Sequence, residues 1–345
     1  MIAPLLGLEI NFWLLLVVKM GLIAGVISGA ALVAIYGELK ISAHMQSRIG
    51  PYFAGGRFGW AQPIADGVKF FQKEDLMPDD ADPFVYKAAP YVVLGGTVAT
   101  FVIIPWGPDL SVRDLDLGLF YLLAVSSIST IGVLMAGWSS ANKYSLMGGL
   151  RAAGQLIAYE LPLVLAAVGV AIQAGTMSLG GIVEAQTQAV WTIGSVDIAL
   201  PYVLGGQLIG FVIFITASLA ELSRTPFDMP IAESELVSGY MTEYSGFRFA
   251  AFFLGEYAGM IALAAIASTL FLGGFWVPGV SADALQYLGP LVLAAKMGAL
   301  IFLFIWMRWT FPRLREDQLQ SLAWRWLIPA ALLNIAVTAV FKVVL

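Results

Sequence analysis

Residues 224–246 read RTPFDMPIAESELVSGYMTEYSG, and the carboxylates of Asp228, Glu233, Glu235 and Glu243 stand there behind a single arginine, Arg224. Glu221 and Glu256 continue the acid series into strongly apolar flanks, LIGFVIFITASLAE before and FAAFFLGEYAGMIAL after. Glu160 lies apart from them in another oily stretch, GQLIAYELPLVLAAV, beside Tyr159. Burial strips water from the charged form of a carboxyl and raises its pKa by up to about 3–5 units. Such a group trades protons near neutral pH, and several of them bridged by water form a proton path. A solvated loop would carry mixed charge. This one sets four acids against one arginine, and Pro226 and Pro230 restrict its backbone.

The elements that must position these acids are transmembrane helices. Of the 345 residues 59% are hydrophobic and only 12% charged, and mean hydropathy is +0.85, beyond the range of soluble domains. Runs of about 20 apolar residues suit helical spans, and the absence of period-2 alternation excludes a barrel. The expected fold is an all-α polytopic membrane protein, a single integral membrane domain over 1–345. Eight spans are expected, near 11–36, 87–106, 118–138, 152–173, 200–221, 249–273, 289–309 and 323–344. The start, MIAPLLGLEINFW, has no basic leader region, so no cleaved signal peptide is expected. Fourteen of the eighteen Lys and Arg fall in the loops 38–87, 138–151, 221–248 and 308–325, all on one side of an eight-span path. The positive-inside rule makes those loops cytoplasmic and puts both termini outside.

Span 1 contains GLIAGVISG, with Gly21, Gly25 and Gly29 on one face, a spacing that predicts close helix packing. In the first cytoplasmic loop, QPIADGVKFFQKED predicts an interfacial amphipathic helix, with Pro63 in its first turn and Ile64, Val68 and Phe71 on one stripe. That helix either rests on the membrane surface or walls an entrance for a lipid-like substrate. Lys19 and Lys296 inside spans are read as static or snorkelling charges, and Arg224 as the ion-pair partner of a nearby acid. With no cysteine and one histidine, His44, the chain offers no ligand set for iron–sulfur clusters, b-type haem or zinc. Any redox centre then belongs to a partner or a diffusible molecule.

Several stretches together resemble one membrane-subunit family of the proton-pumping NADH–quinone oxidoreductase, respiratory complex I: the bacterial H-type subunits, whose mitochondrial counterpart is subunit 1. These stretches are MQSRIGP followed by QPIADGVKFFQKE, WSSANKYSLMGGLRAAGQLIAYE, AELSRTPFDMPIAESELVSGYMTEYSGFRFAAFFLGEY and FPRLREDQL, in family order over nearly the whole chain. The resemblance implies a subunit of a proton-translocating NADH:quinone reductase with no redox centre of its own. Quinone, expected to be ubiquinone, is the substrate, while FMN and iron–sulfur clusters sit in partner subunits. The implied partners are the peripheral-arm quinone-site subunits, the neighbouring membrane subunits and membrane lipids, with no nucleic acid. By position, Gln46, Arg48, Phe227, Asp228 and Arg313 match residues lining or supporting the quinone chamber and its entrance. Glu160, Glu221, Asp228, Glu233, Glu235, Glu243 and Glu256 match those that couple quinone reduction to proton movement. Two departures stand out: Ile231 occupies a frequent acid position, and Glu38-Leu39-Lys40 and Arg48-Ile49-Gly50-Pro51-Tyr52 replace family patterns richer in basic residues. The alternatives are the membrane anchor of a related proton-coupled hydrogenase and a secondary proton or ion transporter.

Overall fold

The computed structural model describes residues 12–108, 110–188, 191–193, 196–280 and 282–344. The start on which the signal-peptide expectation rests lies largely outside them. Apolar runs become helices because lipid satisfies no backbone polar group. In order the helices are α1 (Phe12–Met45), α2 (Gln62–Gln72), α3 (Pro83–Thr100), α4 (Gly118–Ser139), α5 (Lys143–Ala174), α6 (Leu179–Thr187), α7 (Leu208–Glu221), α8 (Glu233–Leu236), α9 (Gly246–Phe271), α10 (Ala282–Thr310), α11 (Glu316–Ser321) and α12 (Ile328–Val344). A π-helical turn, Leu322–Leu327, joins α11 to α12. A short antiparallel pair, Trp191–Ile193 with Val196–Ile198, follows α6.

Among the described residues seven helical stretches are long and apolar enough to cross a membrane, and the chain is a multi-pass membrane protein. The remaining expected span, 200–221, is helical only as α7. Its 14 residues reach about 21 Å at 1.5 Å each, short of a hydrocarbon core of about 30 Å. Pro201, Gly205 and Gly206 break the helix at its start. Protein groups satisfy this irregular backbone: Val203 N donates to Phe271 O at 3.0 Å and the Gln173 amide to Gly205 O at 2.9 Å. The bounds of other spans also move, because α1 and α5 run on past the apolar stretch that marked them.

The centre of the bundle is α9, 67% of whose most apolar window is buried, against 17% for α1. The sequence of α9 is apolar on nearly all its sides, as a largely enclosed helix requires. α3, α5, α7 and α10 pack around it. α1 touches the bundle along Ile27, Ala31, Ala34 and Glu38, spaced four, three and four residues apart. The glycine stripe of α1 corrects an expectation. A Cβ added at Gly21, Gly25 or Gly29 meets nothing within 4 Å, so these residues face away from the bundle and pack no helix among the described residues. α2 forms where expected, with Pro63 in its first turn. Its Phe70 and Phe71 rings lie 5.6 and 5.2 Å from Phe249 and Phe247 at the start of α9, while Ile64, Val68 and much of Phe71 stay uncovered.

Candidate functional site

Residues 222–245 connect α7 to α9 and carry the acidic segment. Gln155, fully buried on α5, clamps this connection by donating from Nε2 to Ala220 O at 2.8 Å and Phe227 O at 2.7 Å. The Phe227 ring meets Tyr159 edge-on at 5.2 Å, and Tyr159 Oη donates to Leu319 O at 3.0 Å. Backbone crowding completes the fit. Gly239 has φ +57°, and a Cβ there would lie 1.9 Å from Pro230 O. A Cβ on Gly148 of α5 would lie 2.6 Å from Gly239 Cα. Only glycine allows these approaches. The segment is therefore seated on α5 in short pieces, the 3-10 turns Met229–Ile231 and Gly239–Met241 with α8 between them.

Arg224 is buried where this segment begins, and it draws three helices together. Its Nη1 lies 2.8 Å from Glu38 Oε2 of α1 and its Nη2 3.3 Å from Glu256 Oε1 of α9. The second contact is an ion contact without hydrogen-bond geometry, and it leaves Nη2 and Nε unpartnered. The guanidinium also stands over the Tyr257 ring, 4.9 Å from its centroid. Glu38 binds Arg308 of α10 as well. Burial opposes the charge on Arg224, but Glu256 and Glu38 outweigh it and hold the guanidinium above its ordinary value. Of the two partners, Glu256 fits the expectation of a nearby acid. Glu38 comes from 186 residues away, and the acids of Arg224's own loop do not pair with it.

A cavity of about 100 Å³ adjoins this knot, with room for several waters. Glu256, Glu221, Ser223 and Tyr240 line it, and it runs on between α3, α4 and α9 as far as Ile266. Burial, then Glu256, pushes the Tyr240 phenol up, which keeps it a neutral O–H donor. Glu221 and Glu160 sit on the packed helices α7 and α5. Neither makes an ion pair among the described residues.

Three of the other acids, Asp228, Glu235 and Glu243, are tied down outside the cavity. Asp228 takes a forked pair of hydrogen bonds from Arg313, 2.7 and 2.8 Å long, and Arg313 also reaches Ser234 Oγ at 3.0 Å. This hydrogen bonding with Asp228, more than the slight burial opposing it, holds the Arg313 guanidinium above its ordinary value. Glu235 pairs with Arg151 at 2.9 Å, and Arg151 also faces Glu316 at 4.0 Å. Arg151, Glu235, Arg313 and Glu316 surround an open depression of about 560 Å³. Glu243 accepts from Asn142 Nδ2, while Glu233 is exposed and its carboxylate has no partner among the described residues. Gln46 and Arg48 form their own pair at 2.5 Å just beyond α1. A Trp309–Ser42 bond of 2.7 Å holds that end of α1 to the end of α10, the end from which Arg313 follows.

Phe227, matched to the chamber and its supports, is 2% exposed and belongs to the packed core, where it holds the loop in place. Lys296 takes no part in the site. Its Nζ donates to Leu272 O, Gly274 O and Trp276 O at 2.6, 2.8 and 2.6 Å, capping the far end of α9. Lys19 and His44 are exposed. Sequence reasoning missed Glu38, Arg308, Tyr257 and Gln155. Glu38 was within reach, since it extends the apolar stripe of α1 by one helical step.

The fold and site define a multi-pass helical membrane protein whose spans converge on a buried ion knot beside an acid-lined cavity. The chain belongs to the NADH dehydrogenase family, whose profile matches residues 18–339. It is similar to the H subunits of NADH-quinone oxidoreductase from Bacillus cytotoxicus, Bacillus mycoides and Bacillus cereus. Each is 46% identical over 308 residues, spanning 89% of this chain and 88% of the relative.

Proposed function

We propose that this chain is a membrane subunit of a proton-translocating NADH:quinone oxidoreductase in the bacterial cytoplasmic membrane. It forms one integral domain, with its basic loops cytoplasmic and its termini outside. It forms part of the quinone chamber beside the peripheral arm and supplies the first acids that couple quinone reduction to proton translocation. The observation that carries this reading is Arg224 shared between Glu38 and Glu256 at the wall of a cavity that also holds Glu221. The names of the relatives favour a quinone reaction over a hydrogenase anchor or a secondary transporter.

FMN and iron–sulfur clusters of partner subunits would supply the electrons, and a quinone that takes two electrons and two protons would leave as the quinol. The Arg313–Asp228 pair and the Gln46–Arg48 pair supply polar groups near the headgroup. The uncovered stripe of α2 suits the apolar wall of an entrance. A negative charge on the quinone acts on the knot through space. At about 10 Å and an effective dielectric of about 20 it changes the energy of a charged group by roughly 1.7 kcal/mol. The Arg224–Glu256 contact at 3.3 Å is worth about 5 kcal/mol on the same scale. The quinone charge therefore biases this contact without breaking it. At about 30 Å its effect falls to roughly 0.6 kcal/mol, too little to move a proton by itself. Coupling then proceeds by relay, each protonation change setting the next, with Arg224 as the element that leans toward one acid or the other.

Replacing Glu256 by Gln tests this. A loss of roughly 1.7 kcal/mol of coupling lowers NADH–quinone turnover about twentyfold, while oxidation of NADH by an artificial acceptor at the flavin stays unchanged. Full quinone turnover with normal pumping in an assembled Glu256→Gln enzyme overturns the proposal.

A further inference from the structure

The acid-lined cavity has a second wall with no ionisable group. Thr97 and Thr100 of α3 and Ser126 and Ser129 of α4 line it there. Each hydroxyl donates its one proton to its own helix: Thr97 to Val93 O at 3.0 Å, Thr100 to Thr97 O at 2.7 Å, Ser126 to Leu123 O at 3.0 Å and Ser129 to Ser126 O at 2.7 Å. A hydroxyl with its proton committed keeps lone pairs for an incoming donor. This wall therefore offers acceptors and no donors. Waters against it turn O–H bonds toward it, an arrangement that favours an excess proton and disfavours anions. A leucine-lined cavity of this size stays dry.

Back-bonded hydroxyls are common in helices and usually have only a local effect. Ser268 and Thr269 of α9 are of that kind, bonded to Ala264 O and Ala265 O at 2.8 Å each and lining no part of this cavity. The four hydroxyls of α3 and α4 differ because they share one cavity with two carboxyls. The helices are also pressed together there. A Cβ on Gly96 would come within 3.3 Å of Ser129 N, and one on Gly259, a single turn past Glu256, would face Thr97 Cγ2 at 3.9 Å. α4 further carries Ser127 and Thr130, so that SSIST gives this helix four hydroxyls in five residues.

We propose that Thr97, Thr100, Ser126 and Ser129 hold a file of waters that carries protons from Glu256 and Glu221 along the α3–α4 wall of the cavity. This rests on the reading of the chain as a proton-coupling subunit. A proton leaves Glu256 as its O–H bond breaks and a water O–H bond forms. Each water then gains one proton and passes another on, and water at the far end of the cavity receives it. The wall hydroxyls keep their own protons throughout, so they are positioning residues for the waters.

The test uses the complete enzyme, purified and reconstituted in vesicles. The Thr97→Val/Ser129→Ala variant removes two acceptors at nearly constant volume. NADH-driven proton uptake falls about tenfold, as expected for one lost hydrogen bond in the limiting hop. The solvent deuterium isotope effect on turnover rises, and Thr97→Ser/Ser129→Thr restores both, which a merely structural role would not do. Should the double variant fail to assemble, Ser126→Ala, one oxygen smaller, is measured for the same two signals. Wild-type pumping and an unchanged isotope effect in the assembled hydroxyl variant overturn the inference. If Glu256→Gln is impaired in the same vesicles, the coupling role of the acids survives that result. If it too pumps normally, both proposals fall.

Discussion

Replacing Glu38 by Gln is the most direct probe of the buried knot. Glu38 is the only carboxylate among the described residues that joins two arginines there, Arg224 at 2.8 Å and Arg308. The amide keeps the size and loses the charge, so two guanidinium groups are left with Glu256 alone, 3.3 Å from Arg224. Removing one partner of a buried ion pair costs about 3–5 kcal/mol. With an unfolding entropy of about 2.1 cal/mol/K per residue, 345 residues give roughly 0.7 kcal/mol/K. The loss therefore lowers the thermal midpoint by about 4–7 °C. Tryptophan fluorescence of the purified enzyme during heating, with subunit retention followed on native gels, measures it. The surplus charge is as informative as the loss. Glu38→Gln combined with Arg308→Gln removes one unpaired cation, and the double variant regains up to about 3 kcal/mol relative to the sum of the two single changes. Additive losses, or a Glu38→Gln enzyme as heat-resistant as the wild type, would refute the claim that Glu38 neutralises both arginines.

Two further outcomes follow from the Asp228–Arg313 pair and the loop. Asp228→Asn breaks the forked pair with Arg313 while leaving the buried knot intact. Assembly survives, and NADH–quinone turnover drops severalfold with flavin-site activity unchanged; Arg313→Lys, which lacks the planar fork, shows the same split, and stopped-flow or steady-state assays with both acceptors distinguish it from misfolding. Gly239→Ala places a methyl against Pro230 O in a left-handed backbone, so the acidic segment cannot seat on α5, and immunoblots of membranes show little assembled subunit. A stable, fully active Gly239→Ala enzyme contradicts this packing.

Much of this protein is legible along the chain because lipid imposes a local rule. Apolar runs of about 20 residues must become helices, so the helical, multi-pass architecture follows from counting, as does the unusual concentration of acid between α7 and α9. The family was legible too, since its longest motifs lie in that connecting segment and in the first loop. What the chain alone left open is which way each helix turns its faces. The same periodicity describes Gly21, Gly25 and Gly29 and the stripe ending in Glu38, yet only the second faces the bundle. Tertiary packing alone decided that Arg224 reaches Glu38 across 186 positions, and that the acids divide into those lining the cavity and those outside it. It also turned Lys296 toward three carbonyls. Charge pairing depends on distances of a few ångströms between helices far apart in sequence, and those distances are set by how side chains interlock once the whole bundle has formed.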